Sequence, residues 1–261
     1  MIFFEHGPEE RPGLRRVGAD GKDLGLVVPV DLHGPYDLTR DGRAVVSKGQ
    51  VWREFRVYDD LWVADLATGA ERRLTDGERA TDPALTPDGL AVVYVARVGG
   101  GELELRRRPL SGGPAEPLLH RTGSQLYDPA VSPDGRTIAL SIQEAGRRDL
   151  WLLEAGALTR LTDDDAIDLQ PAWTPDGRFL LFASDRGGVF NLHAWEPATR
   201  AFRQVTNVET GALDPAVSPD GKTIAFATYG RRGFDVATLP LSPEGWWEEG
   251  PVPEAGEVPA P

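Results

Sequence analysis

The sequence contains no cysteine and a single methionine among its 261 residues. Without cysteine the chain has no thiolate nucleophile, no disulfide bond and no cysteine-ligated zinc or iron–sulfur centre. It also lacks any apolar run near the ~20 residues that a membrane-spanning helix needs, since the longest early stretch covers only residues 24–30. We therefore expect that this chain does not insert directly into a membrane.

Basic residues are scarce relative to acidic ones. The chain has 28 lysines and arginines against 41 aspartates and glutamates, which gives a net charge of −13. Such a charge repels a phosphate backbone and an anionic membrane surface, which argues against nucleic acid as a partner. A basic protein or peptide, or a cation, is the partner that this charge favours, although negative charge also serves solubility alone.

Catalytic motifs are missing as well. The sequence has no Gly-x-Ser-x-Gly nucleophile elbow, no His-Glu-x-x-His pair, no phosphate-binding glycine loop and no dinucleotide fingerprint. A carboxylate cluster at residues 163–165 and 168 lacks the glycine and terminal glutamate of a calcium loop, which favours a solvated loop. The four histidines show no ligand spacing; they are His6, His33, His120 and His193. We accordingly predict no enzyme activity, no metal site and no cofactor.

Internal repetition is the strongest positive signal in the sequence. Five short turns share the pattern Ser/Thr-x-Asp-Gly, and their aspartates lie at 41, 88, 134, 176 and 220, which gives spacings of 47, 46, 42 and 44 residues. A period in the low-to-mid forties is that of a four-stranded, WD40-like propeller blade. Proline, aspartate and glycine each suit one position of a tight turn, so the aspartates need no bound metal to explain them.

Strand-like segments follow every turn. A run of β-branched and apolar residues such as Thr-Ile-Ala-Leu at 137–140 comes first, a second apolar segment follows, and a polar, arginine-rich segment closes most repeats. No segment shows sustained helical periodicity. The pattern predicts an all-β, six-bladed β-propeller with four-stranded antiparallel blades. It would occupy residues 1–242, with a partial blade at 1–30 followed by five repeats.

The C-terminal residues 243–261 are rich in proline and glutamate. Such a composition is typical of a linker that cannot bury enough surface to become ordered. We predict a loosely docked tail anchored by Trp246 and Trp247. Equally, a closing strand within residues 246–258 would supply the first strand that the N-terminal partial blade lacks, although a proline-rich strand is restricted to a sheet edge.

The repeat also resembles a known family. It reads Asp-Pro-Ala-Val-Ser-Pro-Asp-Gly-Arg-Thr-Ile-Ala-Leu at 128–140, then Asp-Leu-Trp-Leu-Leu at 149–153 and Leu-Thr-Arg-Leu-Thr at 158–162. This pattern resembles the repeat of TolB-like β-propellers, and the resemblance extends over roughly residues 35–240. A narrower resemblance, carried by residues 58–62, 206–212 and 233–235, is to envelope proteins in which such a propeller precedes an outer-membrane domain.

The resemblance implies a non-catalytic protein–protein interaction or scaffold module of the cell envelope, located in the periplasm. The first ten residues lack the basic and apolar regions of a signal peptide, which favours the cytoplasm if the chain is complete. Two alternatives stay open at this point. One is an accessory propeller that gates substrate entry to a peptidase, and the other is a propeller enzyme with its site in the channel.

One position of the repeat is a candidate binding site. Six residues before each turn aspartate the repeats carry Pro35, Asp82, Asp128, Gln170 and Asp214. The resemblance places this position on the channel-lining first strand, at a channel where such propellers receive partner peptides. We predict a channel-mouth ring of Asp82, Asp128, Gln170 and Asp214 that attracts a basic peptide or a cation. Alternatively, the carboxylates only accept hydrogen bonds from nearby backbone N–H groups.

Overall fold

The structure, a computed structural model, describes residues 2–5, 13–18, 20–29, 35–39, 41–52, 56–231 and 233–248. The chain divides into two compact units, Met1–Arg121 and Thr122–Pro261. In the described residues the only helical elements are single 3₁₀ turns at Gly99–Gly101 and Pro243–Gly245, and all other regular structure is β-strand. None of these helical turns is long and apolar enough to cross a membrane. The all-β prediction is confirmed.

Unit 1 contains three antiparallel sheets in which each strand pairs with its neighbour in the sequence. The first sheet has three strands, β1 (Ile2–Glu5), β2 (Gly13–Val17) and β3 (Asp23–Pro29). The second has four, β4 (Tyr36–Leu38), β5 (Arg43–Trp52), β6 (Arg56–Asp65) and β7 (Glu71–Arg73). The third also has four, β8 (Thr81–Leu85), β9 (Ala91–Arg97), β10 (Leu103–Pro109) and β11 (Glu116–His120).

Unit 2 also contains three antiparallel sheets. One has four strands, β12 (Gln125–Val131), β13 (Thr137–Glu144), β14 (Arg147–Glu154) and β15 (Ala157–Arg160). The next has five, β16 (Asp168–Trp173), β17 (Leu180–Ser184), β18 (Asn191–Glu196), β19 (Ala201–Gln204) and β23 (Trp247–Glu248). The last has three, β20 (Ala212–Val217), β21 (Thr223–Gly230) and β22 (Gly233–Pro240).

The prediction of six blades is wrong, because five sheets carry the repeat with its turn motif and therefore count as blades. Strands β1–β3 form a separate three-stranded sheet without that turn, and no described strand adds to it. Of residues 246–258, where a closing strand is predicted, the structure describes only 246–248, and β23 pairs there with β19 through Arg203↔Glu248 and Gln204↔Trp247. The physical reason is that the Trp246 side chain is buried in the hydrophobic core of unit 2, which places residues 247 and 248 beside β19. Residues 249–258 lie outside the described residues.

The five turns form as predicted. In four of them the Ser or Thr hydroxyl donates to the turn aspartate at 2.6 Å, and Thr39 donates to Asp41 in the fifth. The turn glycines have φ between +66° and +87°, which residues with a Cβ adopt reluctantly. The hydrogen bonds from Ser132 and from the Arg136 N–H hold the pKa of Asp134 below its usual range. The turn carboxylates are therefore committed to the turn itself.

The hydrophobic core lies between successive sheets of a unit. In unit 2, Leu180 and Phe182 of β17 pack with Leu150 of β14, while Leu181 packs with Ile224 of β21. Successive side chains of a strand point to opposite faces, so a strand covered on both faces needs a continuous apolar run such as Phe-Leu-Leu-Phe-Ala at 179–183. Each buried side chain of this size stabilises the fold by ~1.5–3 kcal/mol.

Candidate functional site

A backbone irregularity marks the predicted ring position in four sheets. Asp82, Asp128, Gln170 and Asp214 have φ of 49°, 48°, 54° and 52°, and a register shift interrupts the pairing of each first strand at this point. A proline follows each of them. The ring position is thus a β-bulge in the left-handed region, a conformation that polar residues such as aspartate tolerate better than bulky ones. The sequence did not predict a positive φ at these positions, because a residue before proline is normally extended.

In unit 2 the structure brings three of the four predicted ring residues together. The Gln170 backbone N–H donates to Asp128 Oδ2 at 3.2 Å, and the Asp214 N–H donates to Gln170 Oε1 at 3.0 Å. The Gln170 side-chain amide also donates to Asp214 Oδ1. We call Asp128, Gln170 and Asp214 the unit 2 arc. The Asp128 carboxylate and the Gln170 side-chain oxygen thus each accept a backbone N–H of the next sheet, which is the arrangement that the hydrogen-bonding alternative describes for carboxylates.

The other ring positions lie in unit 1. Asp82 occupies the same bulge in β8, and Pro35 is an exposed residue directly before β4. A link between sheets that sequence reasoning missed comes from Asp37, whose Oδ2 accepts the Leu85 N–H at 2.7 Å. Burial raises the pKa of Asp37 above its usual range. Asp37 lies two residues after the repeat position Pro35, so the repeat pattern did not identify it.

Arg148 is a second residue that sequence reasoning missed. Its guanidinium contacts Asp128 Oδ2 at 2.8 Å, donates to Ser141 Oγ at 2.9 Å and lies 4.1 Å from the centre of the Tyr127 ring. Charge pairing and ring stacking both suit arginine rather than lysine. Arg148 therefore neutralises the Asp128 end of the arc and holds it in place. The feature of the sequence that could have identified Arg148 is its position directly before Asp149, which begins the repeated motif in β14.

The two carboxylates of the arc differ in their electrostatics. Burial raises the pKa of Asp128, and the Arg148 guanidinium opposes that rise. Burial and then the negative charge of Asp128 raise the pKa of Asp214 to about 6. Asp214 nevertheless keeps an exposed surface, so solvent screens part of this effect. No described cation pairs with Asp214, which leaves it able to accept a proton, a metal cation or a basic group.

A hydrogen-bonded lock recurs between the third and fourth strands of three sheets. Asp60 Oδ1 accepts the Thr75 hydroxyl at 2.8 Å, and Arg73 contacts the other carboxylate oxygen at 2.6 Å. Asn191 accepts the Thr206 hydroxyl at 2.9 Å in the same way. Asp149 contacts Arg160 at 2.5 Å. We call the residues Asp60, Asp149 and Asn191 the third-strand lock; all three are buried.

The acidic cluster at 163–168 is a set of ion pairs. Asp163 contacts Arg147 at 2.6 Å and Arg160 at 2.7 Å, and Asp168 contacts Arg186 at 3.2 Å. The prediction of a solvated loop is wrong for Asp168, whose exposure is 0%. No group of three or more His, Asp or Glu side chains suited to a metal ion occurs within the residues that the structure describes.

The remaining sequence candidates are structural where they can be placed. His193 is buried on β18 beside Phe182, and His120 of β11 contacts Glu102 at 2.7 Å; His6 and His33 lie outside the described residues. Trp246 packs edge-on against Phe179 with 5.0 Å between ring centres. A neighbouring open cavity of about 310 Å³ is lined by Arg178, Arg203, Pro243, Glu244, Trp246 and Glu248. Its two arginines face two glutamates, so it has no excess of one charge.

Comparisons with known proteins agree with this architecture. The Tol-Pal system protein TolB of Anaeromyxobacter sp. (strain K) is 31% identical over 164 residues, which are 61% of this chain and 36% of that protein. The crystal structure of TolB from Acinetobacter baumannii has a TM-score of 0.65 at 24% identity and covers 74% of this chain and 49% of that one. The chain thus spans about a third of the length of the curated TolB relative it matches.

A second kind of neighbour is a puromycin-hydrolyzing peptidase of Mycobacterium tuberculosis, with a TM-score of 0.60 at 20% identity. The match covers 91% of this chain and 43% of that one. At such identities the structural similarities show the β-propeller fold alone. The family described as TolB beta propeller domain matches residues 116–246, half of the chain. The chain belongs to the TolB β-propeller domain family.

Proposed function

We propose that the chain is a non-catalytic protein-interaction module of the cell envelope, in a system related to the Tol-Pal system of its relatives. The periplasm is the compartment that this role requires. The partner would be a protein segment with basic residues or a free amino terminus, bound at the unit 2 arc. The net charge of −13 supports a basic partner.

The observation that carries this proposal is the exposed carboxylate of Asp214, which lies near the carboxylate of Asp128 and contacts no described cation. Bringing like charges together costs free energy unless a cation or hydrogen bonds compensate. Arg148 compensates Asp128, whereas Asp214 has only the Gln170 amide. A basic group placed on Asp214 would remove the remaining repulsion, which is the reason to expect affinity there.

The test is calorimetric titration with a lysine- and arginine-rich peptide, and separately with a divalent cation, at low salt. The variant Asp82→Asn/Asp128→Asn/Asp214→Asn removes the carboxylates of the predicted ring. Asp214→Asn alone tests the arc with the smallest change. We expect binding by the unmodified protein and at least tenfold weaker binding by both variants, since one charged hydrogen bond contributes ~1.5–3 kcal/mol.

Glu209→Gln is the matched control, because Glu209 is an exposed carboxylate outside the arc. It should bind as the unmodified protein does. If the unmodified protein binds neither probe, or if the triple variant binds equally well, the arc has no such role.

The second candidate function is an accessory propeller that gates substrate entry to a peptidase. The similarity to the puromycin-hydrolyzing peptidase over 91% of this chain supports it. A serine-hydrolase probe applied to this chain alone should label no residue under either proposal. Labelling at a single serine would contradict both and would favour a channel enzyme.

A further inference from the structure

In the described part of the chain, the outer edge of β22 has no partner strand. In the four other repeat sheets a fourth strand, β7, β11, β15 or β19, covers the third strand. No described strand pairs with the outer side of β22, since the corresponding stretch of chain crosses to β19 as β23. Alternate residues of the eight-residue strand β22 therefore present, along this side, backbone N–H and C=O groups that pair with no described strand.

β22 carries the residues that receive a fourth strand elsewhere. Asp235 lies 15 residues after its turn aspartate Asp220, the same offset as Asp149 after Asp134. Asp235 and Val236 thus correspond to Asp149 and Leu150. Leu150 is 0% exposed and Val236 is 44% exposed. The Asp235 side chain is exposed and has no ion-pair or hydrogen-bond partner among the described residues.

Two of the sheets that have a fourth strand indicate which side chains a strand paired with β22 would need. Arg73 and Arg160 lie two residues before Thr75 and Thr162, and each arginine contacts the lock aspartate of its own sheet. The Thr75 hydroxyl accepts the Leu61 N–H at 2.8 Å, and Thr162 accepts the Leu150 N–H at 3.0 Å.

The third lock supports the same pattern. Where the lock residue is the neutral Asn191, the fourth strand carries neutral Gln204 two residues before Thr206. In these three sheets the charge of the fourth strand therefore follows the charge of the lock residue. The fourth strand of the remaining sheet, β11 (Glu116–His120), carries no arginine. Because Asp235 is an aspartate, as Asp60 and Asp149 are, we expect it to pair with an arginine on the partner strand.

We propose that the open edge of β22 binds a partner strand with the sequence pattern Arg-apolar-Thr, in trans and antiparallel to β22. The arginine would lie opposite Ala237, as Arg160 lies opposite Trp151 in β14. Its guanidinium would pair with Asp235, and the threonine hydroxyl would accept the Val236 N–H.

An exposed apolar strip beside the edge adds to this surface. Tyr229 and Phe234 pack edge-to-face with 5.1 Å between ring centres and are 52% and 65% exposed, next to Val236. Strand addition gives affinity through backbone hydrogen bonds and specificity through alternate side chains. An acidic residue flanked by aromatic and aliphatic side chains therefore favours a strand that alternates basic or polar with apolar residues.

The test uses the chain's own fourth-strand sequence as the probe. A capped peptide Ala-Leu-Thr-Arg-Leu-Thr, the sequence at 157–162, is titrated to millimolar concentration into the full chain. Binding is followed through the backbone amide resonances in an NMR spectrum. We expect shifts confined to β22 and its turn, and about tenfold weaker binding when the peptide arginine is replaced by glutamine, as for the loss of a charge-assisted hydrogen bond.

Protein variants make the assignment specific. Asp235→Asn should weaken binding of the arginine peptide about tenfold and leave the glutamine peptide unchanged. Glu209→Gln removes an exposed carboxylate elsewhere and should change neither titration. Asp214→Asn should leave the shifts of the β22 resonances unchanged, which separates this surface from the proposed function at the arc.

Three outcomes would overturn the proposal. One is the absence of β22 shifts at millimolar peptide. Another is equal binding of the arginine peptide by Asp235→Asn and the unmodified protein. The third is a concentration-dependent dimer, measured by sedimentation and unaffected by Asp235→Asn, that protects the β22 amides; it would assign the edge to a second copy instead.

Discussion

Gln170 and Asp214 form a reciprocal pair across two sheets. The Gln170 side-chain Oε1 accepts the Asp214 backbone N–H at 3.0 Å, and the Gln170 side-chain amide donates to the Asp214 carboxylate. A carboxylate at 170 could accept the N–H but could not donate to Asp214. Glutamine thus joins the sheets without placing a third negative charge between Asp128 and Asp214, where like charges would repel.

Gln170→Glu should destabilise unit 2 at neutral pH. The new carboxylate faces Asp128 and Asp214, so we expect a loss of ~1–2 kcal/mol in the free energy of unfolding. The loss should shrink as the pH falls and the carboxylates take up protons. Urea denaturation at several pH values measures this. Asn207→Asp adds a charge at another exposed position and is the control; equal losses for both variants would contradict a specific effect at the arc.

Asp214→Asn should change the pH dependence of stability. The pKa of Asp214 is raised from 3.8 to about 6, so the folded protein binds more protons than the unfolded chain between these values. Stability contributed by this group therefore falls as the pH rises towards 6. The variant should exceed the unmodified protein in stability above pH ~6, by up to ~1 kcal/mol after solvent screening. The two should converge near pH ~4; a constant difference across this range would contradict the shifted pKa.

Trp246→Ala should loosen the C-terminal strap, residues 242–248. Trp246 is 9% exposed and packs on Phe179, whereas Trp247 is 55% exposed. We expect a loss of ~3 kcal/mol for Trp246→Ala, at the low end for removing a buried aromatic side chain, and faster proteolysis after Leu241. Trp247→Ala is the matched control and should cost under ~1 kcal/mol. Equal effects of the two variants would show that the strap does not depend on the Phe179 contact.

Asp60→Ala should be among the more damaging substitutions in unit 1. Asp60 is 1% exposed and accepts hydrogen bonds from Arg73, Thr75 and the Gly77 N–H. Removing the carboxylate takes the acceptor from the buried Thr75 hydroxyl and the Gly77 N–H and one of the ion-pair partners from Arg73, which should cost ~3 kcal/mol or more. Asp60→Asn retains one oxygen, as Asn191 does naturally, and should cost about half as much. Thermal unfolding compares the two, and a milder effect for alanine than for asparagine would be inconsistent with the lock.

Local chemistry made much of the fold predictable. The Ser/Thr-x-Asp-Gly turns fold through hydrogen bonds between residues two to five apart, so their spacing predicted the repeat without reference to the rest of the chain. Apolar runs such as 179–183 predicted strands for the same reason. Of the candidate site, the sequence identified Asp128, Gln170 and Asp214 by their place in the period.

The sequence by itself determined the repeat, its turns and its strand character, because those depend on neighbours along the chain. Only the tertiary structure decided the left-handed backbone at the arc, the pairing of Arg148 with Asp128 and the crossing of β23 to β19. Each of these depends on contacts across strands or between sheets, where packing overrides local preference. Trp246 is one example. The composition around it predicted a linker, whereas its burial against Phe179 fixes the strap beside β19, and no described strand pairs with the outer edge of β22.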